Sequence, residues 1–425
     1  MELYIVLAIM AFMIFGFILN KWPFGVTTMV CCVLLALSGV FTIPQAFSGL
    51  SNKTTIMIAG MFAIVAAFGK TSLLTKIQDQ MIHLKGKSGL ALLLAMYGVI
   101  ILFACFLPTT ANMTIMLMFL VALGNTGDIT PSRMTIPILA MISIWGTKLP
   151  LGMGATQYAT LNAFYEGVAA SENQLLNILD MFKVSALPCV LMTVYCLFAY
   201  KWLPNDPFDQ TRLKEQKKKE KISKRDENMI YAVFLIVVIS LFFNTQLGDV
   251  MYLMPVMGVL VLYFTKAMNL KEIVGALTGD PVWMIAGVLV MADALGATGA
   301  GEAIGNVILT ILGGKPSGLF VMFVFAAVSV VMTTFMSNSA TRNVLVPIAA
   351  STCIAAGWDP RGVVLIVAFC ANVAIAFPSG SPACGIAYAA CGYKLTDTFK
   401  FTIPFILIAV ISIVLSANLC FPIAG

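Results

Sequence analysis

The sequence predicts an all-α integral membrane protein: ten transmembrane helices in two inverted repeats, each holding one re-entrant hairpin and one broken helix. Three observations carry this expectation. Of 425 residues, 60% are hydrophobic and only 10% charged, where a soluble domain carries roughly 25% charged residues. The charges are also segregated, so apolar runs recur at the roughly 20-residue length that spans a bilayer as a helix. Finally, the halves repeat. Ile58-Ala59-Gly60 with Gly69 matches Ile285-Ala286-Gly287 with Gly296 at an offset of 227, Thr110-Ala111 matches Ser339-Ala340 at 229, and Gly154 matches Gly380 at 226. Three matches at nearly constant offset are a repeat, and an odd number of spans per half makes the second copy inverted.

Taken in order, spans are expected near 3–20, 23–41, 54–72, 134–147 with 155–168, and 178–201. A matching set follows near 229–247, 250–267, 280–297, 361–376 with 383–392, and 401–422. Between them lie two double segments, 88–107 with 111–124 and 316–336 with 340–356. Each is an apolar pair joined by a polar string, Pro108-Thr109-Thr110-Ala111-Asn112 in the first and Ser337-Asn338-Ser339-Ala340-Thr341 in the second. Both are read as re-entrant hairpins, because irregular backbone at membrane depth survives only against protein or a watery cavity. The domains are therefore 1–202 as first repeat, 203–228 as a cytoplasmic basic linker and 229–425 as second repeat.

The first run, Leu3 to Leu19, has only Glu2 before it and no small-x-small cleavage site after it. It reads as a retained helix rather than a signal peptide. With the linker in the cytoplasm, 19 of the 25 Lys and Arg residues fall on that side, which selects this orientation. The protein is then a multi-pass protein of the cell (inner or plasma) membrane with both termini outside. The ten cysteines lie in apolar runs without a C-x-x-C pair and read as small core residues. A lone histidine, His83, sits in a Lys-rich connection. One His builds no transition-metal or haem site, so no such cofactor is expected, and no His/Cys cluster or Ser with a base marks an enzyme. The Lys-rich linker reads as a topology marker that meets anionic lipid, with no nucleic-acid role.

Four breaks are expected to meet near the midplane: the two tips, the stretch Gly146 to Gly154, and the stretch Phe377-Pro378-Ser379-Gly380-Ser381-Pro382. Helix N-termini beyond each break offer N–H donors and positive dipole ends to an anion. Unwound carbonyls and hydroxyls offer hard oxygen ligands to a small cation. Inverted repeats with broken helices are the usual construction of secondary transporters, whose site lies between the repeats.

The second tip, Ser337-Asn338-Ser339-Ala340-Thr341 followed by a proline-broken helix, resembles the Ser-Asn-Thr signature of the divalent anion:sodium symporter family, within the ion transporter superfamily. The resemblance extends over nearly the whole chain. It implies that Ser337, Asn338 and Ser339 contact substrate and that Thr333, Asn338, Ser379 and Gly380 surround a sodium ion. It also implies an elevator-type homodimer that moves di- or tricarboxylates or sulfate. Thr109, Thr110, Lys148 and Pro378 complete the expected substrate shell. The first half departs from the pattern, since its tip reads Pro108-Thr109-Thr110 and Ala104 stands opposite Thr333. Lys148, in the broken helix facing that tip, is expected to supply the charge that a first sodium would bring.

Charged residues inside a bilayer cost roughly 2.5–3.5 kcal/mol or more each, so Lys148 and Arg342 read as functional. Arg342 can equally pair with carbonyls. Asp293 and Arg342 read as a candidate charge relay, with Asp293 equally a neutral acid bonded to a neighbouring helix. Asn112 reads as a helix cap, and Glu166 as a solvated residue at the outer interface. The expected partners are a small organic anion, the lipid bilayer and a second copy of the chain. The competing reading is a sodium/proton antiporter or an arsenite-type efflux permease of the same superfamily, with Asp293 as its best support; an intramembrane enzyme and a passive anion channel are further alternatives.

Overall fold

The computed structural model describes residues 1–19, 21–72, 76, 90–123, 130–169, 171–205, 222–314 and 316–423. His83 and most of the basic linker (206–221) lie outside the described residues.

The first half builds α1 (Glu2–Leu19), α2 (Phe24–Leu37), α3 (Lys53–Phe68), α4 (Leu90–Phe106), α5 (Thr109–Leu123), α6 (Pro131–Trp145), α7 (Met153–Tyr165) and α8 (Asp180–Ala199). The second builds α9 (Lys224–Phe242), α10 (Val250–Phe264), α11 (Leu270–Leu277), α12 (Asp280–Ala297), α13 (Ala300–Ile311), α14 (Gly318–Phe335), α15 (Asn338–Ala355), α16 (Arg361–Cys370), α17 (Pro382–Cys391) and α18 (Leu395–Cys420). Among the described residues there is no strand. Helix is the structure an apolar chain can adopt in lipid, because it satisfies its own backbone groups. Four segments, 180–202, 270–297, 318–335 and 395–420, are long and apolar enough to cross a membrane by length and composition, and the other apolar helices are shorter.

Polar side chains start several of these helices. Asn52 accepts from the Thr54 N–H at 2.8 Å and Ser317 from the Phe320 N–H at 3.3 Å, each covering one of the donors a helix start leaves open. Packing crosses between the halves. α2 lies on α12 and α3 on α10, while α5 meets α17 and α15 meets α7. The last two pairings bring each hairpin against the other half's broken helix. Small residues allow the close approaches: a Cβ on Gly287 would stand 2.6 Å from the Thr28 hydroxyl oxygen, and one on Gly60 2.8 Å from the Val256 nitrogen. In a bilayer such contacts, rather than hydrophobic exclusion, hold helices together.

Five local readings need correction. The polar strings at the tips are mostly helical, and only 107–108 and 336–337 interrupt the helices. Asn112 is accordingly inside α5, where its Nδ2 donates to Ile100 O on α4 at 3.2 Å; it ties the hairpin together rather than capping a helix. α16 ends at Cys370 although its apolar run continues to Ala376. The Tyr388 hydroxyl lies 3.2 Å from Ile375 O and 2.8 Å from Ala376 O, so carbonyls that leave the helix find a donor from α17. Cys420 is exposed, unlike the other cysteines, which are buried or, for Cys391, half-buried, and all ten are free thiols. Two helices, α11 and α13, were not expected. Both are amphipathic and short, and α11 is fixed by a reciprocal Asn269–Glu272 capping box.

Candidate functional site: an anion cavity beside an oxygen cluster

The two hairpin tips and the two breaks line a cavity of about 400 Å³. Around it stand the first residues of six helices: Phe24 of α2, Thr109 and Thr110 of α5, Met153 of α7, Asp280 and Pro281 of α12, Asn338 and Ser339 of α15, and Pro382 and Ala383 of α17. Each helix start carries open N–H donors and about half a positive charge. Arg342, one turn into α15, also lines the cavity. The cavity therefore combines several partial positive charges and the Arg342 guanidinium with one carboxylate, Asp280, whose Oδ1 is held by the Gly25 N–H at the start of α2. An anion is best placed on the side of Arg342 and the tips.

Each tip owes its geometry to its own sequence. In the second, the Ser337 hydroxyl accepts from the Ala340 N–H at 3.1 Å, which starts α15 and leaves its own proton for the cavity. Arg342 donates to the Ser339 hydroxyl at 3.2 Å and to Asn372 Oδ1 at 3.3 Å. Asn338 donates from Nδ2 to the same Asn372 oxygen at 3.0 Å. Its other amide atom, read as Oδ1, lies 2.8 Å from Thr333 Oγ1, 3.1 Å from Ala371 O and 2.9 Å from Gly380 O. Thr333 Oγ1 is also 2.8 Å from Ala371 O, and its single proton serves one of these oxygens at a time. Four oxygens thus converge with too few protons between them. Two arrangements resolve that crowding: a cation among the oxygens, or a rotated Asn338 amide that donates to the carbonyls.

The first tip holds nothing comparable. Ala104 stands where Thr333 stands in the repeat, and Asn112 Oδ1 is buried without a hydrogen-bond partner. Opposite it the chain between α6 and α7 is strained, with Thr147 at φ 63° and Gly152 at φ 49°. Gly152 is required there twice over, because a Cβ would also stand 2.3 Å from Cys105 O. The strained turn sends Lys148 into the protein at 2% exposure. Its Nζ has no hydrogen-bond partner and rests 4.1 Å from the Phe369 ring centre, a cation–π contact that offsets part of the cost of desolvation.

Of the residues singled out in the sequence, Thr109, Thr110, Ser337, Asn338, Ser339 and Arg342 share the cavity. Thr333, Asn338 and Gly380 share the oxygen cluster, the last through its carbonyl. Lys148 and Pro378 do not line the cavity. Lys148 lies behind its neighbours Gly146 and Thr147, which do. The Ser379 hydroxyl donates to Thr334 O at 2.8 Å and is committed there rather than to the cluster. Asp293 is exposed, and thirteen residues of α12 separate it from Asp280 at the cavity, about 20 Å at 1.5 Å per residue. It packs instead near Gly167, where a Cβ would meet its Oδ1 at 2.5 Å.

Sequence reasoning missed Asp280, Gln157 and Asn372, all of which line the cavity. Asp280 follows Gly279 at a helix start, and its Oδ1 accepts from the Gly25 N–H at 2.8 Å. An acidic N-terminal residue gave a signal for a helix start but none for a cavity wall. Asn372 was hidden inside what read as an unbroken apolar helix.

Comparison with known proteins agrees with this architecture. Residues 14–368 match the model of the citrate transporter family, CitMHS. A 147-residue segment is 26% identical to the uncharacterized transporter sll0640 of Synechocystis, covering 35% of this chain and 24% of that one. A 137-residue segment is 25% identical to the uncharacterized transporter YfbS of Escherichia coli, covering 32% and 22%. The matched segments thus span about a quarter of those relatives. The fold is similar to the crystal structure of the YdaH transporter of Alcanivorax borkumensis, with a TM-score of 0.62 at 12% identity over 90% of this chain and 88% of that one. With most of its length matched, from α1 through α16, the chain belongs to the citrate transporter family of membrane proteins.

Proposed function

We propose that this protein is a secondary active transporter of small di- or tricarboxylate anions, driven by sodium or by exchange. The observation that carries the reading is the cavity ringed by helix N-termini and Arg342, with the oxygen cluster of Thr333, Asn338, Ala371 and Gly380 against its wall. Its volume lies in the ~300–1,000 Å³ range of small-molecule sites. Substrate carboxylates would take the N–H groups of the tips, the hydroxyls of Ser337, Ser339 and Thr109, and the guanidinium of Arg342. A sodium ion would sit in the oxygen cluster, where unwound carbonyls meet a tip side chain as in other broken-helix transporters.

The first half has no such cluster, and Lys148 would supply a positive charge in place of a first ion. Its effect on substrate would then be through space and backbone, not direct contact. The rest of the reading follows the sequence: ten spans in two inverted repeats, a cytoplasmic linker, both termini outside, and an elevator motion within a homodimer. The antiporter or efflux reading had Asp293 as its best support, and Asp293 lies about 20 Å along α12 from the cavity.

The deciding experiment is uptake of labelled citrate, succinate and sulfate into proteoliposomes, with and without a sodium gradient. Saturable, counterflow-competent uptake of a carboxylate is expected, and Asn338→Ala should abolish it. Unchanged uptake in that variant refutes the site, and proton flux driven by sodium alone would establish the antiporter instead.

A further inference from the structure

We propose that Asn372 is a positioning residue that links Arg342 in the cavity to the oxygen cluster, so that Arg342 holds the cluster in its cation-binding form. The inference rests on the reading of that cluster as a sodium site.

Donors and acceptors fix the orientation of both amides. A guanidinium only donates, so the Asn372 atom facing Arg342 at 3.3 Å must be its oxygen. That oxygen also faces the Asn338 amide at 3.0 Å, which makes the near atom of Asn338 its nitrogen. The far atom is then Oδ1, directed at Thr333 Oγ1, Ala371 O and Gly380 O. In this state the oxygens repel one another unless a cation joins them.

The alternative rotates Asn338, so that its nitrogen donates to the Ala371 and Gly380 carbonyls and fills the place of a cation. Its oxygen would then need a proton from Asn372, which must turn its own nitrogen toward Asn338 and so toward Arg342. Two donors would face each other. The closed form of the cluster therefore requires Arg342 to leave Asn372. Cation binding and the placement of Arg342 are coupled through two amides, without either ligand touching the other. By reciprocity, a sodium ion in the cluster also fixes Arg342 with its remaining N–H groups free for the anion.

The prediction separates from simple electrostatics by its sign. Removing a positive charge beside a cation site should tighten cation binding. Loss of the amide relay should weaken it. The test is the sodium midpoint of thermal stabilisation of purified protein, with sodium chloride exchanged for potassium chloride at constant ionic strength and no anion substrate. Arg342→Met and Asn372→Leu are each expected to raise the midpoint, by about tenfold if the coupling is typical. The double variant should be no worse than either single one. Asn372→Asp, which can only accept, should hold the midpoint at or below wild type even with Arg342→Met.

A wild-type protein without sodium-specific stabilisation overturns the sodium site and the relay together. A lowered midpoint in Arg342→Met, a wild-type midpoint in Asn372→Leu, or additive losses in the double variant overturns the relay alone. If Asn372→Leu fails to fold, the direction of the Arg342→Met shift and its reversal by Asn372→Asp still decide.

Discussion

The two hairpin tips occupy matching places in the chain and face one cavity, yet they are built differently. At the second tip the side chains are linked to one another: Ser337 starts its helix, Arg342 holds Asn372, and Asn338 completes an oxygen cluster with Thr333. At the first, proline and two threonines stand opposite Ser337, Asn338 and Ser339, Asn112 leaves a buried oxygen unpaired, and the nearby break buries a lysine whose Nζ has no hydrogen-bond partner. Two helix–break–helix segments of similar local architecture thus carry different chemistry, and side chains decide whether a given break binds an ion, a substrate or neither.

Substitutions can break this comparison. The largest effect is expected at Asn338, whose replacement by alanine removes contacts to both cluster and cavity. At roughly 1.5 kcal/mol or more for each of two such contacts, sodium-driven uptake should fall by about 100-fold or more. The matching change in the first tip, Thr109→Ala, removes one hydroxyl and should cost about tenfold at most. Equal losses at the two tips would show that both bind alike. Ion counting sharpens the same contrast. If Lys148 takes the place of a first ion, flux measurements in vesicles clamped at set potentials should give one sodium per anion. A count of two would remove that role from Lys148.

Smaller effects fall on stability. Gly152→Ala forces a Cβ onto Cys105 O at a positive φ, and should cost about 1–3 kcal/mol in thermal unfolding of the detergent-solubilised protein. Ser337→Ala removes a helix cap worth about 1 kcal/mol; here the loss of anion binding should exceed the loss of stability. The smallest effect is expected for Asp293→Asn, far from the cavity, where uptake should stay within about twofold of wild type, the ±0.5 kcal/mol of an uninvolved surface site.

Much of this was legible in the residues. The apolar runs located the long helices, the polar strings marked the tips, and the oxygen-rich sequence Ser337-Asn338-Ser339 pointed at the cavity wall. Those signals are local, because hydrophobicity at span length and helix-stopping residues act on their own stretch of chain. Where the readings failed, the cause was a partner distant in sequence. Asn372 sits in a run that reads as helix until the single hydroxyl of Tyr388, from the next helix, reaches the carbonyls of Ile375 and Ala376. Pro378 and Lys148 lie in the right breaks but do not line the cavity; at Lys148 the turn with Thr147 at φ 63° buries the side chain behind the wall.

By itself, then, the amino-acid sequence determined an all-helical membrane chain, its breaks and the polar residues at its tips. Only the tertiary structure decided which polar atoms meet. The oxygen cluster joins atoms from α14, α15, the chain after α16 and the turn before α17, and the cavity joins the starts of six helices. Such convergence depends on how helices from the two halves cross. Crossing is set by close packing at residues such as Gly60 and Gly287, whose partners no local pattern names.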